Sequence, residues 1–143
     1  LWESNMDILG CEPKLNLDDP ENRIYARNYA HPSSFIAKGA EVVNSYVAEG
    51  SAVYGKVVNS IISTGCTIEK DAEIHDSFVM PGASIGRRSI VRYAIIGEDA
   101  TVHDNARIGD SPEFYDKHKW GIAVVGKDKV VEQNKILLPK EIY

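Results

Sequence analysis

Nine aliphatic residues in the middle of the chain, Ile62, Ile68, Ile74, Val79, Ile85, Val91, Ile96, Val102 and Ile108, follow one another at steps of 6, 6, 5, 6, 6, 5, 6 and 6 residues. The repeating unit is therefore 17 residues in three segments. The same beat starts upstream with Ile36, Val42, Val47 and Val53, after which the passage through Val57 to Ile62 is two residues short. A helix cannot use such a pattern, because six-residue steps drift around a 3.6-residue turn and scatter the aliphatics over its surface. Short strands joined by corners can. If each segment is one side of a triangular coil, Val47, Ile62, Val79 and Ile96 stack in one interior column. Val53, Ile68, Ile85 and Val102 stack in a second, and Val42, Val57, Ile74, Val91 and Ile108 in a third. Successive coils then satisfy one another's backbone groups at the ~4.8 Å strand spacing.

The residues between the aliphatics agree with this geometry. Three positions after a core residue stands Gly39, Gly50, Gly65, Asp71, Gly82, Arg88, Asp99 or Asn105; all but Arg88 tolerate a left-handed backbone. The next position is small: Ala40, Ser51, Cys66, Ala72, Ala83, Ser89, Ala100, Ala106. The expected fold is all-β, a left-handed parallel β-helix of six-residue repeats, with a short N-terminal helix and a strand-containing C-terminal tail. Residues 1–24 read as a helix (residues 1–9) and a Pro- and acid-rich linker, 25–110 as the β-helix, and 111–143 as a tail packing on it. The stretch 1–9 reads as an amphipathic helix entered midway, so a preceding segment is expected.

Composition narrows the function classes. With 43% apolar residues in 143, one domain with a real core is expected, and 16 Lys plus Arg against 21 Asp plus Glu argue against a nucleic-acid surface. No apolar run approaches 18 residues and no charged-then-apolar leader opens the chain, so the expectation is a cytoplasmic protein without membrane span or signal peptide. Cys11 and Cys66 read as reduced thiols.

Three constellations bear on chemistry. His75 and His103 follow core aliphatics and point outward, with no Ser, Cys or carboxylate spaced to form a relay, so no catalytic residue is assigned. No phosphate-cradling glycine loop is present, Glu69, Asp71 and Glu73 read as a solvated face, and no metal or cofactor site is assigned. Tyr46, Ile61, Phe78 and Ile95 each precede a core residue of one column, so alternation sends four large apolar side chains to one outer face. Monomers rarely leave such a ladder exposed, and another domain, another subunit or the returning strand at residues 121–126 is expected to cover it. Arg87, Arg88 and Arg92 lie within one coil, and with Lys127 and Lys129 they are candidates for a phosphorylated ligand.

The opening WESNMDIL, the stretch LNLDDPENRIYARN, the repeats over residues 44–86 and the tail GIAVVGKDKVV are similar to glucose-1-phosphate adenylyltransferases, across essentially the whole chain. The resemblance implies a family enzyme that joins ATP and glucose 1-phosphate, with Mg²⁺, into ADP-glucose and pyrophosphate for glycogen synthesis. It implies a nucleotide-binding catalytic domain before the β-helix, a homotetramer, and an allosteric effector site that the β-helix helps to form. Plant relatives carry an activator-binding lysine in G-I-x-x-V-x-K-D, a pattern that places it at Lys127, with Arg88 and Arg92 as further effector candidates. The alternatives are a hexapeptide-repeat acyltransferase and a non-catalytic regulatory subunit of the same adenylyltransferase family.

Overall fold

In the computed structural model, the residues described are 1–14, 16–17, 19–21 and 30–143. The expected start of the β-helix at residue 25 lies outside them. One short helix, α1 (Trp2–Met6), opens the chain. Among the described residues, seventeen strands of two or three residues follow. The first coils run β1 (Phe35–Ile36), β2 (Glu41–Val43), β3 (Tyr46–Val47), β4 (Ala52–Val53), β5 (Lys56–Val58) and β6 (Ile61–Ile62). The middle coils add β7 (Thr67–Ile68), β8 (Glu73–His75), β9 (Phe78–Val79), β10 (Ser84–Ile85), β11 (Ile90–Arg92) and β12 (Ala94–Ile96). The last are β13 (Thr101–Val102), β14 (Arg107–Ile108), β15 (Ala123–Val125), β16 (Val130–Val131) and β17 (Ile136–Leu137).

Every third strand belongs to the same parallel sheet, which makes the chain a three-sided β-helix. Sheet A is β1-β4-β7-β10-β13-β16, sheet B is β2-β5-β8-β11-β14-β17, and sheet C is β3-β6-β9-β12-β15. The register stacks the aliphatic columns as the spacing requires: Val53 pairs with Ile68, Ile68 with Ile85 and Ile85 with Val102. From Val53 to Val131 these residues are buried on all three sides and form one continuous core. Backbone bonds run from coil to coil, as from Tyr54 N to Ile68 O at 2.8 Å and from Glu69 N to Ile85 O at 2.9 Å.

The tail differs from expectation. Rather than folding back onto the prism, residues 123–137 supply its last coil, with β15 beside β12, β16 beside β13 and β17 beside β14. The reason is that Val125, Val131 and Leu137 continue the six-residue beat, and all three are buried in the shared core. Within the tail, residues 109–122 leave the prism as a loop containing a 3-10 turn, Pro112–Phe114. Gly109 marks the exit: its φ is +68°, and a Cβ there would collide with the Arg92 carbonyl oxygen.

Left-handed residues mark the corners. Gly39, Gly50, Gly65, Asp71, Gly82, Asp99 and Asn105 all have positive φ, and so does Arg88, at +55°, despite its long side chain. The shortened coil turns through Gly55, where a Cβ would press on the Ala72 carbonyl and lie 2.8 Å from that of Glu69. The removed residues leave room for nothing larger than hydrogen. Among the described residues no helix is long and apolar enough to cross a membrane.

Candidate interdomain face and ligand residues

Period-two alternation turns Ile62, Val79 and Ile96 inward, so the residues before them face out of sheet C. Tyr46, Ile61, Phe78 and Ile95 are in lateral register there, and Val124 extends the ladder. The segment 121–126 therefore lengthens the apolar column instead of covering it. Cover comes from the N-terminal segment. Helix α1 packs on β9, and the indole of Trp2 donates to the Asp76 carbonyl at 2.7 Å. Ile61 is only 7% exposed, whereas Tyr46, nearer the start of the prism, is 42% exposed. Two open grooves flank the helix on this face. One, of about 560 Å³, is lined by Leu1, Trp2, Ile95, Trp120, Ile122 and Val124 among others. The other, of about 360 Å³, is mainly apolar and runs from Ile8 and Leu17 to Tyr46 and Ile61.

The corner between sheets B and C is built by a motif the sequence reading did not single out. Two residues after the core aliphatic stand Asn44, Asn59, Asp76 and Tyr93, all left-handed, with φ of +44° to +47°. The first three form a ladder: Asn44 Nδ2 donates to Asn59 Oδ1 at 2.8 Å, and Asn59 Nδ2 donates to Asp76 Oδ1. Beneath them, Ser45, Ser60 and Ser77 each donate to a carbonyl two residues back. Each also accepts the backbone N–H of the next coil, at 3.0 to 3.1 Å. The recurring Asn/Asp-Ser dipeptide at fixed spacing is the signal that marks this corner.

Tyr93 ends the ladder. Its ring lies 6.0 Å from that of Trp2 and 5.3 Å, edge-on, from that of Trp120, whose indole donates to the Asp110 carbonyl at 2.7 Å. Burial, with the carboxylates of Asp76 and Glu113 beside it, pushes the Tyr93 hydroxyl up from its ordinary range.

The basic candidates are not gathered into one place. Arg88 stands at the corner between sheets A and B, Arg92 ends β11 at the corner between B and C, and Lys127 follows β15 at the corner between C and A. Arg88 Nε donates to Asn105 Oδ1 at 2.8 Å. Arg87 faces Glu69 at 3.9 Å. Lys127 Nζ donates to Glu98 Oε2 at 3.1 Å, one coil below at the same corner, and this carboxylate raises the lysine's pKa. Both side chains are about half exposed, so the pair is readily opened.

His75 Nε2 lies 3.2 Å from Glu73 Oε2, and His103 is exposed. Cys66 fills its corner with a thiol that burial pushes up to about 11, an inert group. Among the described residues no three His, Cys, Asp or Glu side chains are grouped to hold a metal ion.

The sequence model described as GlmU-like, C-terminal hexapeptide, matches residues 31–131. The chain belongs to this hexapeptide family. Its similarity to curated proteins extends further than that repeat region. A glucose-1-phosphate adenylyltransferase of Acetivibrio thermocellus is 40% identical over 138 residues, 91% of this chain and 32% of the relative. Enzymes of the same name from Bacillus thuringiensis and Bacillus anthracis are 41% identical over 108 residues, 76% of this chain and 29% of each relative. The chain thus spans about a third of the length of these relatives, in their C-terminal region.

Proposed function

We propose that this hexapeptide prism is the regulatory and oligomerisation domain of a glucose-1-phosphate adenylyltransferase. On this reading the longer protein makes ADP-glucose and pyrophosphate from ATP and glucose 1-phosphate, in the cytoplasm, for glycogen synthesis. The observation that carries the reading is the outer face of sheet C. A stack of large apolar side chains there is only partly covered by α1, and in relatives three times as long, more than 200 residues' worth of chain is available to complete the cover. The catalytic domain preceding α1 is the proposed occupant, and contacts between prisms complete a tetramer.

On the same reading, Mg²⁺ with ATP belongs to the preceding domain. What this chain contributes is a binding group. Lys127 sits at the end of β15, at the edge of the docking face, in an ion pair that a phosphorylated effector can replace by offering a stronger acceptor than Glu98. Arg88 and Arg92, at other corners, are subsidiary candidates and would require a separate ligand contact.

The test is kinetic. In the longer enzyme, Lys127→Ala is expected to weaken activation by a sugar bisphosphate about tenfold, the scale of one lost charge-assisted bond, with unactivated turnover kept. The 143-residue chain alone is expected to form no ADP-glucose. A Lys127→Ala enzyme with a normal activation curve removes Lys127 from the effector site, and ADP-glucose formation by the isolated chain removes the domain reading altogether.

A further inference from the structure

Tyr93 breaks the rule of its own corner. The three coils before it place Asn44, Asn59 and Asp76 at this position, residue types whose short polar side chains ease a left-handed backbone. A bulky aromatic at φ +45° is strained, and strain of this kind persists where something else holds the residue. It also ends the Asn/Asp ladder, its hydroxyl turning to the Asp76 carboxylate and Ser111 rather than to a further amide, and the following residue is Ala94 where the earlier coils have Ser45, Ser60 and Ser77. The corner has given up its local chemistry at this one rung.

What the ring gains is two partners from opposite ends of the chain. Trp2 belongs to helix α1 and Trp120 to the loop that returns to the prism, and the Tyr93 ring stands next to both. Each indole is in turn pinned by a backbone carbonyl, Trp2 by that of Asp76 and Trp120 by that of Asp110. Immediately after Trp120 the chain enters Gly121 and Ile122 and then β15, and Lys127 stands two residues beyond that strand. We propose that Tyr93 is a positioning residue that couples the seating of helix α1 to the seating of the returning loop, so that a displacement of either is felt by the other. This rests on the reading that a nucleotidyl-transfer domain precedes α1, for then the coupled pair are that domain's last helix and the loop leading to the effector lysine.

The chain contains two tryptophans, so each can report alone. In Trp2→Leu, the emission of Trp120 is expected to shift to longer wavelength as its loop loosens, and in Trp120→Leu the emission of Trp2 is expected to shift likewise. Tyr93→Asn restores the corner's own residue type. It is expected to keep or raise the thermal midpoint of the prism while red-shifting both indoles, and Tyr93→Phe, which keeps the ring and loses only the hydroxyl, is expected to leave both emissions as in the parent chain. Unchanged emission of each tryptophan on removal of the other, or in Tyr93→Asn, overturns the coupling. In the longer enzyme, Tyr93→Asn is expected to lower the activation ratio with a sugar bisphosphate about fivefold or more without lowering unactivated turnover. If Lys127→Ala abolishes activation and Tyr93→Asn does not, the coupling fails and the domain reading stands. If neither variant changes activation while the indoles respond as expected, the effector reading fails and the coupling stands.

Discussion

Sheets A and C share one interior and differ in what they show to the outside. Facing in, both carry the same unbroken aliphatic column, Val53-Ile68-Ile85-Val102 in A and Val47-Ile62-Val79-Ile96 in C. Facing out, the middle of sheet A shows Ala52, Thr67, Ser84 and Thr101, small and flat, while sheet C shows Tyr46, Ile61, Phe78 and Ile95. The backbone is the same in both, so fold and function are written on alternate residues of the same strands. Inward positions close the prism; outward positions decide which side is left to water and which takes the N-terminal segment.

This contrast can be attacked where the two sheets should agree. Ile62→Ala in sheet C and Ile68→Ala in sheet A both empty a fully buried site and should cost about 2–5 kcal/mol each in urea unfolding. A large difference between them would mean that the interior is not shared evenly. Outward substitutions should separate the sheets. Ile61→Ala removes an apolar side chain covered by its neighbours, for a loss of about 2 kcal/mol, whereas Thr67→Ala on sheet A should stay within about 0.5 kcal/mol. Equal costs would remove the distinction between the two faces.

The corner joining C to A provides a pH test. The Cys66 thiol is pushed from its ordinary 9.0 to about 11 by burial, so the folded state holds its proton where the unfolded chain releases it. Its contribution is complete below pH 9 and is lost as pH rises toward 11, the loss reaching about 1 kcal/mol by pH 10. Cys66→Ala should flatten that part of the pH profile, and in the native chain only exposed Cys11 should react with a thiol reagent. A small effect of the opposite sign is expected at the corner between sheets A and B. Arg88→Asn relieves a left-handed arginine and should raise stability by about 0.5–1 kcal/mol, less what the bond to Asn105 supplied.

The inner columns and two of the three corners were legible in the residues, because a fixed beat of β-branched residues with left-handed formers at fixed offsets admits few other folds. The third corner was equally regular in its Asn-Ser and Asp-Ser pairs, but its offset follows a five-residue step rather than a six-residue one. The last coil was missed for a different reason. The excursion over residues 109–122 interrupts the count, and only the register shows that Val125, Val131 and Leu137 resume it.

The sequence by itself determined the repeat, the three columns, the corner chemistry and the apolar outer face, since all of these are set by neighbours within one coil. Tertiary structure alone decided which segment lies on that face, that Tyr93 stands between Trp2 and Trp120, and that Arg88, Arg92 and Lys127 occupy separate corners. Those relations join residues up to 118 positions apart, and nothing periodic connects them. They follow from the path of the helix and the loop across a finished prism.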